Sequence, residues 1–312
     1  MLAFAADRAG MGLRLSRPRL TPRVARTMRL MIPGAIGAGV VQINLVIDVV
    51  LASTLPAGAI SYLYFADRVS QLPLGVVGVA VGIALLPLMS RQIKSGDAAA
   101  ARDSQNRAIE FALLLTLPAA TALVTVPGPI MQVLFVRGAF SAADAAASAG
   151  ALAAFAVGLP AYVLIKALAP GFFAREDTAT PVKVALVALV VNIAVALSLM
   201  PFLAHVGIAL ATAISAWINA LTLGVLLIRR DRFGIDARLR RRAVGMVLAS
   251  AGMGVALWFM AGLMAPWLAG GGVANLAALA LLVLAGLCTY AALALLAGAV
   301  RRSDLRQYLR RA

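Results

Sequence analysis

The sequence predicts an all-α polytopic membrane protein with about eight transmembrane helices. Of the 312 residues, 62% are hydrophobic and 13% are charged, whereas soluble domains carry about 45–50% apolar and about 25% charged residues. The apolar residues gather into runs of about 20 or more, the length that crosses the hydrocarbon core of a bilayer. Most basic residues lie in the short connections between these runs, as is typical of membrane proteins.

Eight apolar runs define the predicted elements. They cover residues 30–53, 58–90, 108–127, 145–172, 182–202, 206–228, 243–265 and 274–300. The first run is too long for the hydrophobic region of a signal peptide, so we expect a span. The chain then divides into a basic segment 1–29, a six-span unit 30–228, a basic connection 229–242, two additional spans within 243–300 and a tail 301–312.

The placement of the basic residues predicts the orientation. Alternating spans assign 25 of the 28 Lys and Arg residues to one face and only Arg137 to the other, while Arg68 and Lys166 fall inside spans. This bias predicts that both termini are cytoplasmic. A net charge of +16 could also indicate a nucleic-acid partner, but such partners bind basic patches on polar surfaces. We therefore expect no nucleic-acid binding.

The second run is too long for a simple span. Its 33 residues would extend about 50 Å as a helix, against a hydrocarbon core of about 30 Å. It contains Pro73, Gly75 and Gly78, which predict a hinge, with a kink or a break near Pro73. Broken helices in transporters often mark the substrate site. The alternative is a tilted helix that is merely kinked.

Three charged residues inside the spans are candidates for substrate binding: Asp67, Arg68 and Lys166. Ionisable groups within a span are costly and are functional candidates by default. The planar guanidinium of Arg68 can form two hydrogen bonds to phosphate oxygens, so Arg68 is a candidate binding group for a pyrophosphate. The alternatives are a structural ion pair between Arg68 and a carboxylate such as Asp67, and a snorkelling role for Lys166.

Asp48, Asn192 and Thr212 form a second candidate set. Their oxygens could jointly bind a monovalent cation, and the alternative is hydrogen bonding between helices. No metal centre and no other cofactor is expected, because Cys288 and His205 are the only residues of their types. A membrane enzyme is also disfavoured, since such enzymes need acidic or histidine clusters for metal binding or general base catalysis.

Two blocks of the sequence resemble the MurJ/MviN family of lipid II flippases. The first block contains Gln42-Ile43-Asn44, Asp48, Leu51-Ala52-Ser53, Ser61-Tyr62-Leu63-Tyr64-Phe65-Ala66-Asp67-Arg68, the run from Gln71 to Ala80, Leu85-Leu86-Pro87 and Ser90-Arg91. The second contains Lys166 to Phe173, Asp177 and Thr180-Pro181-Val182-Lys183. The resemblance covers the chain from about residue 28 to its end.

The resemblance implies a transporter of the multidrug/oligosaccharidyl-lipid/polysaccharide exporter superfamily, and no enzyme. Such a protein lies in the bacterial inner membrane among membrane lipids. It moves lipid II, the undecaprenyl-pyrophosphate-linked disaccharide-pentapeptide, by alternating access. Members have fourteen spans, so the first six spans here correspond to the C-terminal six-helix lobe and the last two to the extra helices, which are associated with a lipid-tail groove.

Individual residues can be matched to the family pattern. Arg68 maps onto the essential cavity arginine of the family's eighth helix. Some relatives couple to a monovalent cation or to membrane potential, and the set Asp48, Asn192 and Thr212 is the expected position, although Ala196 supplies no further carboxylate there.

The chain departs from the family by lacking an N-terminal lobe. One lobe cannot form the two-sided cavity of alternating access, so we expect a fragment that needs the missing lobe or a second chain as partner. The alternatives are an exporter of another polyprenyl-linked glycan or of small drugs, and a non-transporting scaffold in a cell-wall complex.

Overall fold

The computed structural model describes residues 22–270 and 272–299, so the tail 301–312 and most of the predicted segment 1–29 lie outside it. Its long helices are α1 (Pro22–Ser53), α2 (Ala59–Lys94), α3 (Ala98–Thr125), α5 (Ala142–Leu168), α7 (Ala179–Arg229), α8 (Ala237–Leu263) and α10 (Val273–Leu296). Short helices are α4 (Pro127–Phe135), α6 (Pro170–Phe173) and α9 (Ala265–Leu268). Over the described ranges, the β-structure is limited to one bridge between Arg137 and Phe140.

Within the described residues, seven helices are long and apolar enough to cross a membrane, and α7 supplies two crossings. Its 51 residues would span about 76 Å as one rod, more than twice the hydrocarbon thickness. The helix breaks at Ala204, where φ is 47° and ψ is −129°. A Cβ on Gly207 would lie 2.8 Å from the carbonyl carbon of Leu199, so the chain folds back. We name the two halves α7a (179–203) and α7b (205–229). The prediction of about eight spans is confirmed.

The connections define two ends of the bundle. The basic end carries the connections 95–97, 174–178 and 230–236. The opposite end carries 54–58, the region 126–141 with α4, the turn at Ala204 and the region around α9.

Helix α3 begins ten residues before the predicted start of its span. The side chain of Asp97 caps it by accepting a hydrogen bond from the backbone N–H of Ala100 at 2.8 Å. Helix α4 was not predicted.

Helix α2 stays helical over all of its 36 residues, with Pro73 and Pro87 inside. Of the kink or break predicted near Pro73, the break is therefore absent from Ala59–Lys94, which is one continuous helix. A proline removes one backbone hydrogen bond but the helix can continue past it when neighbouring helices support it. The hinge role of Pro73, Gly75 and Gly78 stays a prediction.

Helix α5 lies at the centre of the bundle and contacts α2, α3 and α7. Small residues allow the helices to approach closely, as is usual in membrane bundles. A Cβ on Gly158 of α5 would lie 2.8 Å from the Cα of Ala213 on α7b. This packing fixes the side chains that α5 presents to a cavity between it and α1, α2 and α7.

Candidate functional site

A cavity of about 740 Å³ opens between α1, α2, α5 and both halves of α7. Its wall is mostly apolar, with interspersed polar side chains: Asn44, Asp48, Asp67, Arg68, Ser70, Gln71, Tyr162, Lys166, Thr212, Ser215 and Asn219. Of the residues predicted to bind substrate or cation, only Asn192 is outside this lining, and it is fully buried behind it. Residues far apart in sequence thus meet at one site.

Arg68 faces this cavity without a carboxylate partner. Its guanidinium carbon lies 4.9 Å from the ring centroid of Tyr64, and Nη1 donates a long hydrogen bond of 3.5 Å to Oε1 of Gln71. The Gln71 amide donates in turn to the Asp67 carboxylate. Among the residues that the structure describes, Arg68 forms no ion pair, so a direct Asp67–Arg68 pair is not what holds it. Its charge remains available to an anion.

Lys166 lies deeper, towards the basic end. A Cβ on Gly78 would lie 2.8 Å from Cδ and 3.1 Å from Nζ of Lys166, so the absence of a side chain at Gly78 makes room for the lysine. Arg68 is ten residues before Gly78 on α2, which corresponds to about 15 Å of helix rise. The two cations therefore belong to one cavity but lie at different depths.

Gln105 on α3 holds the helix end that carries Lys166. Pro170 lacks a backbone N–H, and α5 ends just before it. The buried amide of Gln105 donates to the carbonyl oxygens of Ala167 at 3.1 Å and Leu168 at 3.4 Å, which satisfies acceptors left open at the helix end. Sequence reasoning missed Gln105, because a glutamine ahead of an apolar run has the pattern of a solvent-exposed residue.

Asp48, Asn192 and Thr212 form one hydrogen-bonded network with Asn44. The Asn192 amide donates to Oδ1 of Asn44 at 2.7 Å and to Oδ1 of Asp48 at 3.1 Å. The Thr212 hydroxyl lies 3.3 Å from Oδ2 of Asp48, and the Asn44 amide lies 3.3 Å from the same oxygen. The network joins α1, α7a and α7b. Interhelical hydrogen bonding, one of the two predicted roles, is therefore present.

The same network carries oxygen donors that suit a hard monovalent cation: one carboxylate, two amide carbonyls and a hydroxyl. Buried charge is costly unless it is paired, and the single carboxylate of Asp48 balances one positive charge. Over residues 22–270 and 272–299, no group of three or more His, Cys, Asp or Glu side chains could hold a metal ion. The donor set thus fits a monovalent ion better than a multivalent one.

Glu110 is the centre of a charge cluster at the basic end, outside the cavity. Its carboxylate, 9% exposed, pairs with Arg107, Arg238 and Arg242, and Arg107 also pairs with Asp236. The cluster ties α3 to the beginning of α8. Further along α3, the Tyr290 hydroxyl of α10 donates to the Leu114 carbonyl at 2.9 Å. Helices α8 and α10 are therefore fixed to the rest of the bundle along α3.

Asp177 lies in the connection before α7, outside the membrane-spanning segments. Its carboxylate accepts hydrogen bonds from the Thr180 backbone at 3.1 Å and hydroxyl at 2.9 Å, and from Arg230 at 2.6 Å. Burial alone would raise the pKa of Asp177, but these hydrogen bonds and the Arg230 charge together outweigh burial and hold the pKa below its ordinary value. The charged form of Asp177 thus links Thr180 at the start of α7 to Arg230 just after its end.

Comparison with known proteins agrees with this architecture. The pattern of the family described as lipid II flippase MurJ matches residues 1–278. A probable lipid II flippase MurJ of Rhizobium tropici is 46% identical over 97% of this chain and 57% of its own length. That of Rhizobium meliloti is 43% identical over 98% of this chain and 58% of its own length. The chain thus spans little more than half the length of these relatives, all named as flippases and not as enzymes.

Solved structures show the same relationship. The structure of lipid II flippase MurJ in an inward closed conformation superposes with a TM-score of 0.71 at 25% identity, over 89% of this chain and 55% of that one. An outward-facing multidrug transporter of the MATE family gives a TM-score of 0.58 at 17% identity, over 86% of this chain and 63% of that one, which shows a shared fold alone. The family pattern and the sequence identities together place this chain in the MurJ lipid II flippase family, of which it spans the C-terminal portion.

Proposed function

We propose that this chain supplies the C-terminal lobe and the two additional helices of a flippase that moves lipid II across the bacterial inner membrane by alternating access. The observation that carries the proposal is the unpaired guanidinium of Arg68 in a cavity within the transmembrane bundle. A charged group there is expensive unless a partner compensates it. The pyrophosphate of a lipid-linked precursor is such a partner, and a guanidinium binds it bidentately.

The depth difference between Arg68 and Lys166 supports a path for the anion. Lys166 meets α2 at Gly78, roughly at mid-helix, and Arg68 lies about 15 Å nearer the opposite end. A pyrophosphate moving through the cavity would therefore meet one cation and then the other. The excess of Lys and Arg at the basic end supports a cytoplasmic position for that end and for both termini.

The polar network around Asp48 supports a second part of the proposal, coupling to a monovalent cation. Asp48 from α1, Asn192 from α7a and Thr212 from α7b already meet within hydrogen-bonding distance. A cation bound among their oxygens would stabilise the hairpin of α7 against α1.

Sodium chloride should therefore raise the melting temperature of the purified chain more than an equal concentration of choline chloride does. Asp48→Asn should remove that difference. Equal melting temperatures in the two salts would contradict cation binding here.

Complementation tests the transport proposal. A strain depleted of its own lipid II flippase receives either this chain alone or a chimera with the N-terminal portion of the Rhizobium tropici relative. We expect the chimera to restore growth, because both lobes are needed to close a two-sided cavity. Arg68→Ala in the chimera should abolish the rescue. Arg137→Ala, which removes an exposed arginine at the opposite end, is the matched control and should leave it intact.

The outcomes separate the alternatives. If the chimera reaches the membrane but fails to restore growth, the lipid II assignment is wrong and another polyprenyl-linked glycan becomes the leading substrate. If Arg68→Ala restores growth as well as the parent chimera, Arg68 is not the anion site. If the chain alone restores growth, the missing lobe is not required, and two copies of the chain must form the cavity.

A further inference from the structure

The first turns of α8 carry exposed basic residues next to an apolar, lipid-facing stripe. Arg240 and Arg241 are both exposed. One and two helical turns further along, Val244 is 57% exposed and Leu248 is 64% exposed. Residues four apart lie on one face of a helix, so Arg240, Val244 and Leu248 form a single stripe. The guanidinium group of Arg240 therefore lies at one end of an exposed apolar surface.

The length of this stripe matches a bilayer. It continues through exposed Val255 to exposed Trp258 and Phe259. Arg240 and Trp258 are 18 residues apart, about 27 Å of helix rise, close to the hydrocarbon thickness of about 30 Å. Tryptophan is enriched at the membrane–water interface. With Trp258 at one interface, Arg240 lies at the headgroup level of the other.

The neighbouring arginines of α8 form ion pairs, whereas Arg240 and Arg241 form none within the described residues. Arg238 and Arg242 pair with Glu110, so α8 is held against α3 by its other face. Among the described residues, neither Arg240 nor Arg241 takes part in an ion pair. Because Arg238 and Arg242 fix the rotation of α8, the two free guanidinium groups are held facing the lipid.

We propose that Arg240 and Arg241 form a binding site for the headgroup of an anionic phospholipid in the leaflet at the basic end. The phosphate accepts hydrogen bonds from the two guanidinium groups. The acyl chains lie along Val244, Val247 and Leu248, all of them exposed. A zwitterionic phospholipid offers the same chains but adds a positive charge that the two arginines repel. The site therefore distinguishes lipids by net charge.

Native mass spectrometry of the purified 312-residue chain tests this site. Dioleoylphosphatidylglycerol is titrated against dioleoylphosphatidylcholine, and the apparent affinity of the first bound lipid is compared between variants. Arg240→Gln/Arg241→Gln should weaken phosphatidylglycerol binding roughly 25-fold, since each basic residue near a membrane surface contributes about fivefold. Phosphatidylcholine binding should stay within about twofold.

Two further variants make the outcome decisive. Arg91→Gln/Lys94→Gln removes two exposed charges from the same end of the bundle, but from α2, and should retain phosphatidylglycerol binding. Equal losses in the two double variants would show non-specific attraction and overturn the proposal. Arg240→Lys/Arg241→Lys keeps the charge and should retain most of the affinity. If it loses as much as the glutamine variant, or if the glutamine variant loses nothing, the proposal is also overturned.

Discussion

The ring of Tyr64 lies under the guanidinium of Arg68, one helical turn away along α2, with 4.9 Å between the guanidinium carbon and the ring centroid. An aromatic face attracts a cation without neutralising it. Arg68 is therefore oriented by Tyr64 while most of its hydrogen-bond donors remain free for a ligand. A carboxylate in the same position would hold the side chain more tightly but would compete with the anion.

Replacing Tyr64 tests this orientation. Tyr64→Leu should lower the rate of lipid II flux by the active chimera about fivefold, because a cation–π contact contributes about 1 kcal/mol. Tyr64→Phe keeps the ring and should retain the parent rate. The rate is measured with fluorescent lipid II in proteoliposomes. If the phenylalanine variant is as slow as the leucine variant, the hydroxyl group and not the ring is what matters.

Gly78 distinguishes a hinge from a packing role. Gly78→Ala should lower the melting temperature of the chain, because the new Cβ would lie 2.8 Å from Cδ of Lys166 and the lysine must move. Gly75→Ala and Gly82→Ala meet no atom within 4 Å and should stabilise the helix by about 0.5–1 kcal/mol. Adding Lys166→Ala to Gly78→Ala should remove the penalty.

Activity measurements complete this comparison. If Gly75→Ala and Gly78→Ala both slow transport by the chimera while Gly82→Ala does not, the hinge prediction is supported. If only Gly78→Ala is slow, and Lys166→Ala does not worsen it further, Gly78 serves to accommodate the lysine, and the hinge prediction is wrong at that position.

Glu110 should be a strong determinant of stability. Glu110→Gln removes the carboxylate that pairs with the nearly buried Arg242, and breaking a buried pair in this way costs about 3 kcal/mol or more. The measurement is unfolding of the purified chain in mixed micelles with increasing sodium dodecyl sulfate. Asp103→Asn is the matched control, because Asp103 pairs with Arg107 but is 69% exposed, and exposed pairs contribute less than about 1 kcal/mol. Similar losses in both variants would contradict the role of burial.

The lowered pKa of Asp177 predicts that the stability of the folded chain depends on pH. Its pKa is lower in the folded chain than in the unfolded one, so its ionised form contributes stability that is fully present above the unfolded value of about 3.9. This contribution is lost as the pH falls through the folded pKa. Asp177→Asn should therefore lower the melting temperature at pH 7, and the difference from the parent chain should shrink below about pH 4. A difference that stays constant between pH 7 and pH 3 would contradict it.

The sequence predicted the spans well because the length of an apolar run reports the membrane crossing directly. It predicted helix ends poorly where a helix leaves the bilayer. Residues 98–101 of α3 are alanines and residues 102–107 are polar or charged, so no long apolar run marks them, although Asp97 caps a helix there. Helix α4 was missed for a related reason, since its nine residues are too few for a span and adjoin an apolar run.

Several residues of the candidate site were singled out from the sequence, but not their arrangement, and their binding roles stay predictions. Asp48, Asn192 and Thr212 were singled out because polar residues inside spans are rare, and the structure brings all three together. The pairing of Arg68 with Tyr64, and of Lys166 with Gly78, depends on side-chain direction and helix packing, which spacing alone does not give. Glu110 lay in a predicted span, three residues after its partner Arg107. Its other two partners, Arg238 and Arg242, lie about 130 residues further along the chain, so the local sequence gave no sign of them.

Gln105 has a consequence for the cavity that its own position does not reveal. It lies in the first half of α3, yet its side-chain amide donates hydrogen bonds to carbonyl oxygens in the final turn of α5. This turn is next to Lys166. The position of that amine in the cavity is thus set in part from α3, by a side chain 61 residues earlier in the sequence that does not line the cavity. Substitutions at Gln105 should therefore change the electrostatics of the cavity without altering any residue that lines it.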